Sequence, residues 1–147
     1  MNITIRVNGF LKMKKPNKVE LFIPKTPVST QHAYVNRAVS RGKMIRFLSK
    51  DAKEYKLLVQ SIFNSKYNKY ITDNDTFYGG IDLQVTVFLD FKTRRRADWD
   101  NYHKLWCDAL EGLVYDDDSQ IKYAVVIKRH IPENPGLRLI IEPFIKE

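Results

Sequence analysis

Polar and apolar residues alternate from the start of the chain, and residues 2–7 are predicted to form a strand. Asn8-Gly9 follows, a dipeptide suited to a two-residue hairpin turn because it tolerates positive φ. Lys12 to Lys18 is a basic connection containing Pro16, and Val19-Glu20-Leu21-Phe22-Ile23 reads as a second strand closed by Pro24 and Pro27. Between Val28 and Lys50 neither period holds, so a long loop is expected, of the kind that is usually functional in a small domain. Ser49 can cap a helix reaching about Ser65, with Tyr55, Leu58, Val59 and Ile62 at helical spacing. Asn64 to Asp75 is polar and loop-like, with Tyr67, Tyr70 and Ile71 available for local packing.

Strict alternation from Ile81 to Leu89, after Gly79-Gly80, predicts another strand. A helix is expected over residues 101–112, with Gly112 as its stop. Asp116-Asp117-Asp118 reads as a turn, and residues 121–131 and 137–141 as a closing pair of strands around Pro132 to Gly136. The order β-β-α-β-α-β-β predicts an α+β fold: a single domain over residues 1–147, with two main helices packed on a mixed β-sheet.

Composition narrows the class. A chain of 147 residues with 44% hydrophobic and 29% charged residues is ordinary globular usage. No apolar run approaches the ~20 residues of a membrane helix, and no signal-peptide pattern opens the chain, so a cytoplasmic protein is expected. Cys107 is the sole cysteine, which excludes an internal disulfide and a cysteine-rich zinc site. Lys plus Arg number 25 against 17 Asp plus Glu, a formal net charge of +8 that suits a polyanion. The expected contacts are Arg37, Arg41, Lys43 and Arg46 in the long loop and the run Arg94-Arg95-Arg96.

Acidic residues are concentrated elsewhere. Seven of the 17 lie between positions 98 and 118: Asp98, Asp100, Asp108, Glu111, Asp116, Asp117 and Asp118. If residues 98–100 are extended, Asp98 and Asp100 point to one side while Trp99 faces the core. On the following helix Tyr102, Leu105, Trp106, Ala109 and Leu113 share a face, and Asn101, Lys104, Asp108 and Glu111 the opposite arc. Lys104 then lies one turn beyond Asp100. Carboxylates without a His or Cys cluster favour a hard cation, magnesium or manganese. Such an ion polarises a phosphate and stabilises the leaving oxygen, and a neighbouring lysine can stabilise the transition state. Each piece has an ordinary explanation: Asp100 as a helix cap, Lys104 in an exposed pair with Asp100 or Asp108, the aspartates as a solvated turn, the arginines as a charged surface.

The combination Asp98-Trp99-Asp100-Asn101-Tyr102-His103-Lys104, then Asp108-Ala109-Leu110, Gly112 and Asp117-Asp118-Ser119-Gln120-Ile121, resembles the signature of the RusA family of Holliday junction resolvases. The arginine run before it is similar to that family, and more loosely so are Pro24 to Thr30 with Tyr34 and Arg46-Phe47-Leu48-Ser49-Lys50. The resemblance covers about residues 19 to 142. It implies a homodimeric, magnesium-dependent endonuclease, often of phage or prophage origin, that resolves branched DNA by paired symmetric nicks in recombination and repair. It implies Asp98, Asp100 and Asp118 as metal-binding carboxylates, with Asp117 in reserve, and Lys104 as the catalytic lysine. Residues 1–15 extend beyond the family's usual start, and Gln31-His32 stands where asparagine is usual. The competing readings are a non-catalytic basic junction-binding protein and a nuclease for flap or single-stranded DNA.

Overall fold

The computed structural model describes residues 4–7, 10–72, 74–94 and 96–145. Strands β1 (Thr4–Val7) and β2 (Phe10–Met13) pair antiparallel, with Val7 opposite Phe10. The expected turn residues Asn8 and Gly9 lie outside the described residues, and β2 takes up the start of the stretch expected to be a basic connection.

The principal sheet has four strands in the order β3 (Val19–Ile23), β8 (Gly136–Pro143), β6 (Leu83–Phe91), β7 (Ile121–His130). It is mixed, because β6 runs parallel to β7 and antiparallel to β8. The expected closing pair is therefore corrected: β7 and β8 lie on either side of β6 and do not pair with each other. A two-residue period fixes which face is buried. Val19, Leu21 and Ile23, then Leu83, Val85, Val87 and Leu89, then Leu137, Leu139 and Ile141 face inward. Against them packs α2 (Lys50–Tyr67), through Ala52, Tyr55, Val59 and Phe63. Ser49 caps α2 as expected, accepting from the Ala52 N–H. The helix runs past Ser65 because Tyr67 adds one more inward side chain, its ring stacked on Phe63 and its hydroxyl accepting from the Glu20 N–H.

The segment expected as a long loop is a hairpin. After a short turn of helix, α1 (Thr30–Ala33), strands β4 (Tyr34–Ser40) and β5 (Lys43–Leu48) form a separate antiparallel ribbon. Nearly all of it is exposed on both faces, so no burial-driven alternation marks it in the sequence. Gly42, at φ +78°, makes its turn. An unsupported ribbon is marginal in water. This one is fastened at its root, where the Ser49 N–H donates to Ala33 O.

Parallel strands need a long crossover, and residues 92–120 supply it between β6 and β7. It carries α3 (Lys104–Leu110), shorter than the helix expected over 101–112. Residues Trp99–Tyr102 form a 3-10 turn in place of the extended stretch. Gly112 ends the helical region as expected, at φ +83°. The buried face of α3 is Leu105, Trp106, Ala109 and Leu110, and Gln60 of α2 donates to Ala109 O. No helix among the described residues is long and apolar enough to cross a membrane.

One charge is buried within the sheet. Asp90 of β6 is 1% exposed and accepts two bonds from Arg129, Nε at 2.7 Å and Nη2 at 2.8 Å, and a third from Arg138. Paired guanidiniums of this kind are what make a buried carboxylate tolerable.

Candidate active site

Apart from Asp108 within α3, the acidic residues of the crossover fall at the two ends of that helix. Asp98 and Asp100 precede it, both exposed, with neither side chain capping the 3-10 turn. Trp99 between them is 61% exposed, not buried as expected, because the turn rotates it away from the core while Tyr102 takes the inward position. Beyond the other end, Glu111, Asp117 and Asp118 bring carboxylate oxygens within 4.8 Å of one another. Asp98 and Asp100 are not part of that group. Glu111 was placed on the outer arc by its spacing from Lys104 and Asp108, yet its convergence with Asp118 depends on how the chain returns after α3 and is not visible in the motif.

That return is held tightly. Val114 and Tyr115 are fully buried, and the Tyr115 hydroxyl donates to Cys107 O at 2.6 Å. Gln120, 8% exposed, uses both ends of its amide: Oε1 accepts from the N–H groups of Asp116 and Asp117, and Nε2 donates to Gly79 O and Ile81 O. The acidic turn is thereby tied to the segment entering β6. Gln120→Leu leaves these four backbone groups without their partner, and each such loss costs about 1 kcal/mol or more when water cannot replace it. A destabilisation of about 2–4 kcal/mol is expected in a denaturant melt; a change under ~0.5 kcal/mol would mean the turn is held otherwise.

The three consecutive aspartates have different local duties. Asp116 accepts from the Thr76 hydroxyl, and Asp117 accepts from the Ser119 N–H in a capping box with Gln120. The Ser119 N–H also holds the Asp117 carboxyl below its usual range. Asp118 caps nothing among the described residues.

Lys104 donates to Asp108 at 3.1 Å, forward along the helix rather than back to Asp100. Asp108 chiefly raises the Lys104 pKa, with smaller contributions from Tyr34 and Asp118. Asp108, one turn along α3, thus favours the charged form of the ammonium. Cys107 has its thiol pushed up to about 12 by burial and remains protonated. At the ribbon root the Arg46 guanidinium lies 4.2 Å from the Tyr34 ring centroid, and Thr30 donates to Asn101 O. Arg37, Arg41, Lys43 and Arg46 are exposed on the ribbon, and Arg94 and Arg96 beyond β6. Arg95 lies outside the described residues.

The family model of the RusA endodeoxyribonuclease matches residues 24–142. The chain belongs to the RusA family. RusA membership makes it an endodeoxyribonuclease of the Holliday junction resolvase class, acting on branched DNA, which sets aside the non-catalytic binding reading. A comparison with curated proteins found no match. The RusA match begins just after β3, so this edge strand pairs with β8 from outside the matched residues.

His103 braces the segment that leads into α3. Its Nδ1 accepts from Trp106 Nε1 at 3.1 Å and its Nε2–H donates to Trp99 O, an arrangement that requires the neutral ring. Burial lowers its pKa below the ordinary 6.5, opposed by the Trp99 carbonyl and by Asp100. The unfolded chain therefore binds this proton more readily. Stability from the neutral ring is fully present above pH 6.5 and is lost as pH falls from there toward the folded-state pKa. Thermal melts in EDTA between neutral and mildly acid pH should show this slope, and His103→Gln should reduce it. Identical slopes would remove His103 from the acid response.

Proposed function

We propose that the chain is a magnesium-dependent homodimer that resolves four-way DNA junctions by paired symmetric nicks. Asp98, Asp100 and Asp118 are its metal-binding carboxylates, Lys104 its catalytic lysine, and residues 1–147 one functional domain. The observation that carries this reading is the convergence of Asp118 with Glu111 and Asp117 beyond α3, the helix that Lys104 opens.

The donor set fits a hard cation. Around Asp118, the group with Glu111 and Asp117 is all oxygen, crowds like charges that repel in the absence of an ion, and lies past the C-terminal end of α3, which disfavours anions, whereas Asp98 and Asp100 precede that helix. Magnesium, or manganese in its place, bound there supplies Lewis-acid stabilisation of the phosphate and its leaving oxygen. The protein's own groups do the remainder. Lys104 opposes charge that grows on the phosphoryl oxygens. Arg37, Arg41, Lys43 and Arg46 on the ribbon, with Arg94, Arg95 and Arg96, neutralise phosphates along the arms and draw DNA toward carboxylates that would otherwise repel it. The engagement of Asp117 with Ser119 favours Asp118 as the ligand of the turn. A phage or prophage protein working in the bacterial cytoplasm fits this chemistry.

Synthetic four-way, flap and linear DNA of equal length, incubated with magnesium, manganese, calcium or EDTA, test the proposal. Symmetric nicks in the four-way substrate with magnesium or manganese are expected, with calcium supporting binding rather than cutting. Preferential cutting of flaps would replace resolution with the flap reading, and undiminished cleavage by metal-free protein in EDTA would remove the metal.

A further inference from the structure

The ribbon turns one of its faces toward the start of α2. Val35 is paired with Phe47 and Arg37 with Ile45, so these four side chains stand on the same face. Between that face and the first turn of α2 lies an open cleft of about 330 Å³, bordered by Val35, Arg37, Phe47, Lys50 and Lys53. A second cleft, of about 320 Å³, adjoins it: the two share Leu48 and Lys53, and the second continues past Lys56 and Leu57 to Gln60. Lys53, Lys56, Leu57 and Gln60 follow helical spacing and form one stripe of α2. Gln60 donates to Ala109 O at 3.2 Å, so the groove ends where α2 meets α3, the helix that Lys104 opens.

Its charge has one sign. Arg37, Lys50, Lys53 and Lys56 border the groove, and no carboxylate lines either cleft. The side chains of Arg37, Lys53 and Lys56 have no ion-pair or hydrogen-bond partner among the described residues. Asp51 and Glu54 belong to the same helix but line neither cleft. Glu54 reaches Lys50 only at 4.0 Å, and an exposed pair of that length holds the ammonium weakly.

Apolar side chains are set between these cations. Val35 is 40% exposed, Phe47 39% and Leu57 65%. Each is ordinary by itself, but alternation of exposed apolar groups with free cations along a groove suits one kind of polyanion. A duplex stacks its base faces against one another and offers such a groove only phosphates. An unpaired strand offers base faces as well, and these gain from an aromatic or apolar platform while the phosphates meet the cations. We propose that this groove is a track for one unpaired DNA strand, its bases against Phe47 and Leu57 and its phosphates along Arg37, Lys50, Lys53 and Lys56. The track gives the protein a place to hold a strand that leaves the pairing at a branch point. It deepens the proposed function, resting on DNA as the ligand and not on the metal or the paired nicks.

Fluorescence anisotropy in EDTA, where binding is read without cutting, tests the track. A labelled oligothymidine and a blunt duplex of equal length are titrated with the full chain. Lys53→Ala/Lys56→Ala should keep the circular dichroism of the parent, bind oligothymidine at least ~10-fold more weakly, and flatten its log–log salt slope by about 1.4, or 0.7 per phosphate contact on a single strand. Phe47→Ala should weaken oligothymidine about 5-fold or more with the salt slope unchanged. Binding of the duplex should change less than 2-fold in both variants. An abasic oligomer should not distinguish Phe47→Ala from the unaltered chain, because it carries no base to stack. Oligothymidine that fails to bind, or binds both variants as it binds the parent, would overturn the track. Equal losses on duplex and oligothymidine would also overturn it, making the groove a seat for a duplex arm. A chain that binds the strand in this way but cuts no junction would keep the track and lose only the resolvase reading.

Discussion

Asp118→Asn is expected to cut four-way DNA at least about 10³-fold more slowly than the unaltered chain, while folding normally and binding the junction as tightly or more tightly. The substitution removes one negative charge from a group whose oxygens lie within 4.8 Å of one another, so binding of phosphate meets less repulsion even as the cation loses a ligand. Asp117→Asn makes the informative comparison. Its remaining amide oxygen can still accept from the Ser119 N–H, so the turn persists and only a few-fold loss is expected. Asp116, bonded to Thr76, should tolerate the same change almost silently. Single-turnover rates on a four-way junction distinguish the three. A dead Asp117 variant beside an active Asp118 variant would move the ligand by one residue.

Lys104→Ala is expected to lower turnover by about 10²–10³-fold with junction affinity little changed. The ordinary alternative is visible in the structure, where Lys104 pairs with Asp108 one turn away at 3.1 Å. As an exposed helical pair it contributes under ~1 kcal/mol to stability, and its loss would scarcely touch the rate. Catalysis by the ammonium draws instead on charge that develops only in the transition state. Lys104→Arg should recover little, since a planar guanidinium does not place a compact charge at the same point. An alanine variant cutting at the parental single-turnover rate would leave Lys104 with the surface pair alone.

Where one face of an element is buried, the pattern of residues was sufficient to locate it. β3 and β6 alternate because every second side chain enters the core, and α2 shows its period through Tyr55 and Val59. The ribbon leaves no such pattern, for the opposite reason: Val35, Val39, Ile45 and Phe47 are exposed among arginines, and nothing selects an inward set. Trp99 departs from its expected burial because the 3-10 turn gives the inward place to Tyr102. At the site, the motif names Lys104 and Asp118, and the structure puts the first at the start of α3 and the second in the turn that follows it. Glu111 joins Asp118 only through the return anchored by Val114, Tyr115 and Gln120, a long-range arrangement that spacing along the chain does not encode.

The clamp on Asp90 has a consequence for how this chain can change by inheritance. Removing the carboxylate strands two guanidiniums above aromatic rings, while removing either arginine leaves a buried anion with half its partners. Effects within such a network are not additive. Any one of the three codons is therefore constrained by the other two, and single-step paths away from the trio pass through weakened intermediates. Exchange for apolar residues of similar volume can be nearly neutral, but only when all members are replaced together. Asp90, Arg129 and Arg138 thus behave as one hereditary character spread over three strands, kept whole or abandoned whole.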